Sequence, residues 1–159
     1  MSKIYVDEIA GIASPSTVAI PGHVIQVVQG TTSTQVENSS SSYIDTGLSV
    51  SITPTSSTSK IYITVNLTGV YLVNAANTGF DGQLLRDSTV IYEKFAYAAG
   101  YSSSAVETFE QISCVYLDSP STTSATTYKV QFKNNSGGQR VDVQNGGWMS
   151  TIVAMEIAG

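Results

Sequence analysis

One histidine, one cysteine and a scatter of carboxylates are the residues of this chain with reactive potential. His23 follows Pro21 and Gly22, and no Ser-His-Asp or Cys-His arrangement can be assembled around it. It reads as a strand-start residue at the surface or at a subunit contact. A zinc site needs several ligands, which His23 and the distant Cys114 do not supply. Cys114 lies in the apolar run Ile112–Leu117, as a small buried hydrophobe does, and being alone it forms no intrachain disulfide. Asp81, Asp87, Glu93, Glu107, Glu110 and Asp118 read as solvated strand and turn residues. No spacing singles out two of them as the carboxyl pair of a glycosidase. Asp118 and Asp142 lack the Asp-x-Asp loop of a calcium site. Gly137–Gly138 and Gly146–Gly147 open no helix, so they read as turn glycines and not as a phosphate cradle. The expectation is a protein with no catalytic, cofactor-binding or metal-binding residue, and not an enzyme.

One aromatic stretch is a candidate for recognition. Tyr92, Phe95, Tyr97 and Tyr101 surround the Gly/Ser/Ala-rich segment Ala96 to Ser104, expected to be a long flexible loop. Exposed tyrosines on such a loop could contact a glycan. Packed on the body of the protein, they would be core.

The elements that must position these residues are strands. Ser and Thr fill about a quarter of the chain and charged residues only 12%, about half the usual share. Short alternating runs of Val, Ile, Tyr and Thr are separated by Ser/Thr/Asn/Gly turns, the pattern of an all-β sandwich or barrel. The net charge of -5, with no Lys/Arg cluster, argues against nucleic acid as a partner. No apolar stretch is long enough to span a bilayer, and no membrane partner is expected. The start, MSKIYVDEIAG, lacks the apolar region of a signal peptide.

Residues 1–22 differ from the rest and read as an N-terminal arm. Ile4, Tyr5, Val6 and Ile9 are its candidate docking residues, because so short a segment either pads the domain's own core or reaches another chain. Residues 23–159 form the expected β domain. His23 to Gln29 predicts a strand, Thr31 to Glu37 another, then Tyr43 to Ile52. In Lys60 to Val73, Ile61, Ile63, Val65 and Leu67 share one face; a bulge at Gly69 would hand that face to Val70 and Leu72. Arg86–Thr89 predicts a hairpin turn between Phe80–Leu85 and Val90–Phe95. Val106 to Leu117 is a long strand, and Thr127 to Lys133 alternates with Tyr128, Val130 and Phe132 on one side. The closing strand runs to Ile157 with Met149, Val153, Met155 and Ile157 on one face and Ile152 and Ala154 on the other. A strand apolar on both sides must be covered twice. With the apolar end of Val106–Leu117, this predicts oligomerisation, as a homotrimer, with Met149, Ile152, Met155, Ile157, Val115 and Leu117 at the subunit interface.

Four stretches, SITPTSSTSKIYITVN (51–66), QLLRDSTVIY (83–92), YLDSPSTTSATTYKVQFKN (116–134) and STIVAMEIAG (150–159), resemble a β-module of tailed-phage virion proteins, found in tail fibres and capsid-associated proteins of marine and cyanobacterial phages. The opening SKIYVDEI resembles the short KVDTI-like start that many of these share. At fold level the strand order is similar to the jelly roll of the tumour-necrosis-factor and complement globular-head superfamily, whose domains are trimers. The resemblance implies an antiparallel jelly-roll sandwich and a virion protein assembled in the host cytoplasm. Its partners would be itself and the phage major capsid protein or another virion protein. One domain with a short arm is the size expected of a capsid decoration (cement) protein. The alternative is a tail-fibre tip that binds a host surface glycan.

Overall fold

The structure, a computed structural model, describes residues 21–73, 76, 78–102, 104, 107–135 and 139–159, with the side chains of 98 and 100–102 left out. The expected arm therefore lies outside the described residues, apart from Pro21 and Gly22. Ten strands follow in order: β1 (Val24–Thr32), β2 (Val36–Asn38), β3 (Ile44–Ile52), β4 (Lys60–Leu72), β5 (Thr78–Arg86), β6 (Thr89–Ser102), β7 (Thr108–Asp118), β8 (Thr126–Asn134), β9 (Val141–Val143) and β10 (Ser150–Ile157).

Alternation explains the strands. In β4 the side chains of Ile61, Ile63, Val65 and Leu67 are buried, while Tyr62, Thr64, Asn66 and Thr68 are half-buried on the other face. At Gly69 (φ +57°) the register with β7 slips between Leu67 and Val70, and Val70 and Leu72 take over the core side. The bulge expected at Gly69 is present. A Cβ there would sit 2.8 Å from the backbone N and O of Asn145, so only glycine fits. In β8, Tyr128, Val130 and Phe132 alternate into the core as expected.

All strand pairs are antiparallel. The first sheet runs β1–β10–β4–β7, and the short β9–β2 ribbon continues along β4 at Tyr71 and Leu72, beyond the end of β10. The second sheet runs β3–β8–β5–β6. Twice, a returning strand lies beside the first of its group, so the two sheets form a pair of interlocked Greek keys. The fold is a jelly-roll sandwich.

The sheets bury Ile61, Ile63, Val65, Leu67 and Ile152 from one side against Leu48, Val50, Leu84, Tyr128 and Phe132 from the other. Each such side chain contributes about 1.5–3 kcal/mol when fully buried. One flank closes where β1 meets β3: a Cβ at Gly30 would lie 1.9 Å from the Ser49 carbonyl oxygen. On the other flank the rings of Tyr92 and Tyr116 approach to 5.7 Å, joining β6 to β7.

Two segments differ from expectation. The strand expected over Thr31 to Glu37 is divided: β1 runs on to Thr32, and only Val36–Asn38 pairs with β9. The flexible loop expected over Ala96 to Ser104 is, to Ser102, a continuation of β6 paired with β5. Repeated register shifts in that pairing, with Lys94 (φ +52°) and Ala96 (φ +54°) in the left-handed region, remove the strict alternation by which a strand is recognised.

Candidate interaction surface

Register builds the site. Residues directly opposite each other in an antiparallel ladder share a face. Val27 is opposite Met155, Met155 opposite Tyr62, and Tyr62 opposite Leu117, which makes one row across four strands. The neighbouring row is Gln29, Val153, Thr64 and Val115. Ile157, opposite both Val24 and Lys60, continues the patch at the sheet's end. All of these point away from the core, on the side opposite Ile61, Ile63 and Ile152. Val27 is 56% exposed, Val115 54% and Leu117 51%. Tyr62, Val153, Met155 and Ile157 are half-buried among them. The next row, Thr31, Thr151, Asn66 and Ser113, is polar and uncharged.

Of the expected interface residues, four therefore lie together on this outer face: Met155, Ile157, Val115 and Leu117. Met149 is exposed just before β10. Ile152 faces inward, is fully buried in its own chain's core, and is unavailable to a second subunit. Strand alternation alone could not tell which apolar side of β10 is the core. The structure adds Val27, Tyr62 and Val153, the first two of which become visible only once the pairing register is known.

The outer face of the second sheet is different. Ser51 and Thr127 hydroxyls lie 2.8 Å apart, and Lys129 and Gln131 donate to Asp45 at 3.0 and 2.7 Å. Gln83 donates to Gln131 at 2.7 Å, and Lys133 stands 4.8 Å over the Tyr43 ring. Burial alone would raise the Asp45 carboxyl, but the bonds from Gln131 and Lys129 outweigh it and hold it below its ordinary value.

The aromatic candidates separate. Phe95 is 3% exposed, packs near Phe80 at 6.4 Å, and lies over Gly82, where a Cβ would come within 2.5 Å of its ring. It belongs to the core and cannot touch a glycan. The left-handed residues on either side of it turn it inward. Tyr92 is partly exposed, between Phe95 and Tyr116. Tyr97 is 63% exposed, with Lys94 over its ring at 5.7 Å. The Tyr101 side chain is outside the described residues, as are Ile4, Tyr5, Val6 and Ile9.

The polar residues are structural in their placement. Cys114 is buried, and burial pushes its thiol up to about 12. His23 is half-buried; the carbonyl of His23 accepts from Ala158 N at 2.9 Å, and Gly22 N donates to the Ala158 carbonyl at 2.8 Å. Asp118, expected in solvent, is instead buried: Arg86 donates to both its oxygens at 3.0 Å and the Tyr128 hydroxyl donates at 2.7 Å. Asp81 is buried as well. The phase of Asp118 with Ile112 and Cys114 was the available signal. Glu156, in phase with Ile152 and Ala154, accepts from Gln26 at 2.6 Å and from Thr55 N and Oγ1 at 2.7 Å. Burial opposes its ionisation, yet these bonds bring its carboxyl below the ordinary value. Asp142 is the reverse case: burial holds it above the ordinary value against the pull of Asn145 and Arg140. Among the described residues, no group of three His, Cys, Asp or Glu side chains is placed to hold a metal ion.

No family model matches this sequence, and no curated protein matches it. Solved structures do share its shape. VP2 of infectious bursal disease virus, in a subviral particle, superposes with a TM-score of 0.51 at 16% identity, over 84% of this chain and 33% of that one. The Gx strain of the same virus gives 0.51 at 15% identity, over 84% and 32%. This chain spans about a third of the length of those proteins. At such identity the likeness establishes the fold alone, a jelly roll shared with these virus-particle structures.

Proposed function

We propose that this chain is a structural virion protein of a tailed phage, a decoration protein on the capsid. Its arm, residues 1–22, would attach it to the shell through Ile4, Tyr5, Val6 and Ile9, and its sandwich would pack in trimers. The observation that carries the reading is the outer face of the first sheet. Seven residues, Val27, Tyr62, Val115, Leu117, Val153, Met155 and Ile157, lay an apolar surface across four strands and leave it uncovered by the described chain. An exposed apolar patch of this breadth marks an interaction surface. The sequence likeness to tailed-phage virion modules and the capsid-protein fold support the same conclusion. Cryo-electron microscopy of the intact particle tests it. Many copies spread over the shell are expected; absence from the shell would refute it.

A second reading, a tail-fibre tip that grips a host glycan, is favoured by one observation: Tyr97 stands exposed with Lys94 against its ring. A few copies confined to the tail, together with glycan binding lost in Tyr97→Ala, would select it.

A further inference from the structure

We infer that the outer face of the first sheet is where one copy of this chain meets another. This deepens the structural-protein reading by naming the contact surface, and it rests on that reading only in requiring that copies associate. The apolar rows supply adhesion, with Val27, Met155, Tyr62 and Leu117 flanked by Val153 and Val115. Charge narrows the occupant. The chain has 12 acidic and 7 basic residues, a net -5, so most approaches of two copies bring like charges together. On the paired outward positions of these four strands the one acidic or basic side chain is Lys60, at the rim. Along these rows an acidic or basic partner has nothing to grip; the charges at the far end of the face, Glu37, Arg140 and Asp142, are engaged with one another, and a second copy can pack on the rows without repulsion. The polar row Thr31, Thr151, Asn66 and Ser113 offers hydroxyls and amides that pair with their own kind across such a contact.

Area agrees. Four strands spaced ~4.8 Å apart and about nine residues long present roughly 20 by 30 Å, and two such faces bury on the order of 1,200 Å², above the ~1,000 Å² expected of a specific interface. The other sheet's outer face, with Asp45, Lys129 and Lys133 already engaged within the chain, lacks both qualities.

The test is the solution mass of the full chain by light scattering across micromolar concentrations. The unmodified protein is expected as a multiple of one chain. Val115→Glu with Leu117→Glu, both at exposed positions, should give monomers, with self-association weakened on the order of 100-fold or more. Ser49→Glu with Ser51→Glu, on the opposite face, should leave the mass unchanged. If the first variant loses its β-sheet circular dichroism, the near-isosteric Val115→Thr decides, with association expected to fall about tenfold. A monomeric unmodified chain, or association indifferent to both Val115 variants, overturns the inference. A monomer found decorating capsids would overturn this inference and the trimer packing proposed above, and leave the decoration role standing; an oligomer absent from virions would overturn the decoration role and leave this inference standing.

Discussion

The two outer faces of this sandwich are built on equal numbers of principal strands and end up with opposite surfaces. On the second sheet the long polar side chains of β3, β5 and β8 engage one another across the ladder: Lys129 and Gln131 on Asp45, Gln83 on Gln131, and Lys133 over the Tyr43 ring. Such a face is finished in water, because its charges are paired and its amides satisfied. On the first sheet the corresponding positions are Val27, Tyr62, Val115, Leu117, Val153 and Met155, and each is partly or mostly exposed. Both faces rest on antiparallel ladders. What differs is the side chains each face presents: paired charges and amides on one, apolar groups on the other.

In β10 adjacent residues face different surroundings, Ile152 the core and Val153 the outer face. Ile152→Ala should cost about 3–4 kcal/mol, because it opens a cavity in the fully buried core. Val153→Ala, one residue on, should cost under about 1 kcal/mol in the dissociated chain, because water already reaches it. Urea unfolding of both at low protein concentration measures this, and equal losses would erase the assigned inside and outside of β10.

The core end of the same strand gives a pH test. The Glu156 carboxyl lies below its ordinary value, so its contribution is complete above the ordinary carboxylate range and is lost as pH falls through the lowered folded value. Glu156→Gln should cost about 1–2 kcal/mol at pH 7, and the gap from the unmodified protein should narrow in strong acid. Asp142, raised by burial, has the opposite sign: its contribution is present below the ordinary range and is lost as pH rises through the folded value. Asp142→Asn should therefore cost less at pH 7 than Glu156→Gln. Urea melts at pH 7 and pH 3 check both signs, and a larger loss for Asp142→Asn would contradict them.

Much of this was legible in the residues themselves. The β4 alternation with its break at Gly69, the hairpin at Asp87–Ser88, and the doubly apolar β10 and β7 all follow from side-chain period and turn chemistry. What alternation cannot supply is pairing. Val27 and Tyr62 join the apolar face only because β1 and β4 flank β10 in one register, a long-range fact no local window contains. From sequence Ile152 reads as an interface residue, because two apolar sides of one strand look alike until the opposing sheet is known. The burial of Phe95 is hidden from the sequence for another reason. Left-handed residues at Lys94 and Ala96 break the two-residue period of β6 and swing the ring over Gly82. Asp118 and Glu156 sat in phase with core residues, but their burial depends on Arg86, Gln26 and Thr55, partners distant in sequence.

Smaller effects belong to the finished face and to the arm. Asp45→Asn should cost no more than about 0.5 kcal/mol, since Asp45 and Lys129 are solvent-screened. Its thermal midpoint should barely move, and a large drop would mean that the ladder supports the fold. Deleting residues 1–12 should leave the circular dichroism and urea midpoint of the sandwich within about 0.5 kcal/mol while abolishing attachment to particles. Unchanged attachment would remove the arm from the docking role.

Hydroxyl-radical footprinting of the assembled protein, read residue by residue against the dissociated chain, puts the contrast between the faces to its most direct test. Labelling of Val27, Tyr62, Val115, Leu117 and Met155 should fall sharply on assembly, while Tyr43, Lys129 and Lys133 stay as reactive as before. Equal labelling of the first-sheet residues in both states would show that this face stays wet in the assembled protein and is not where copies meet.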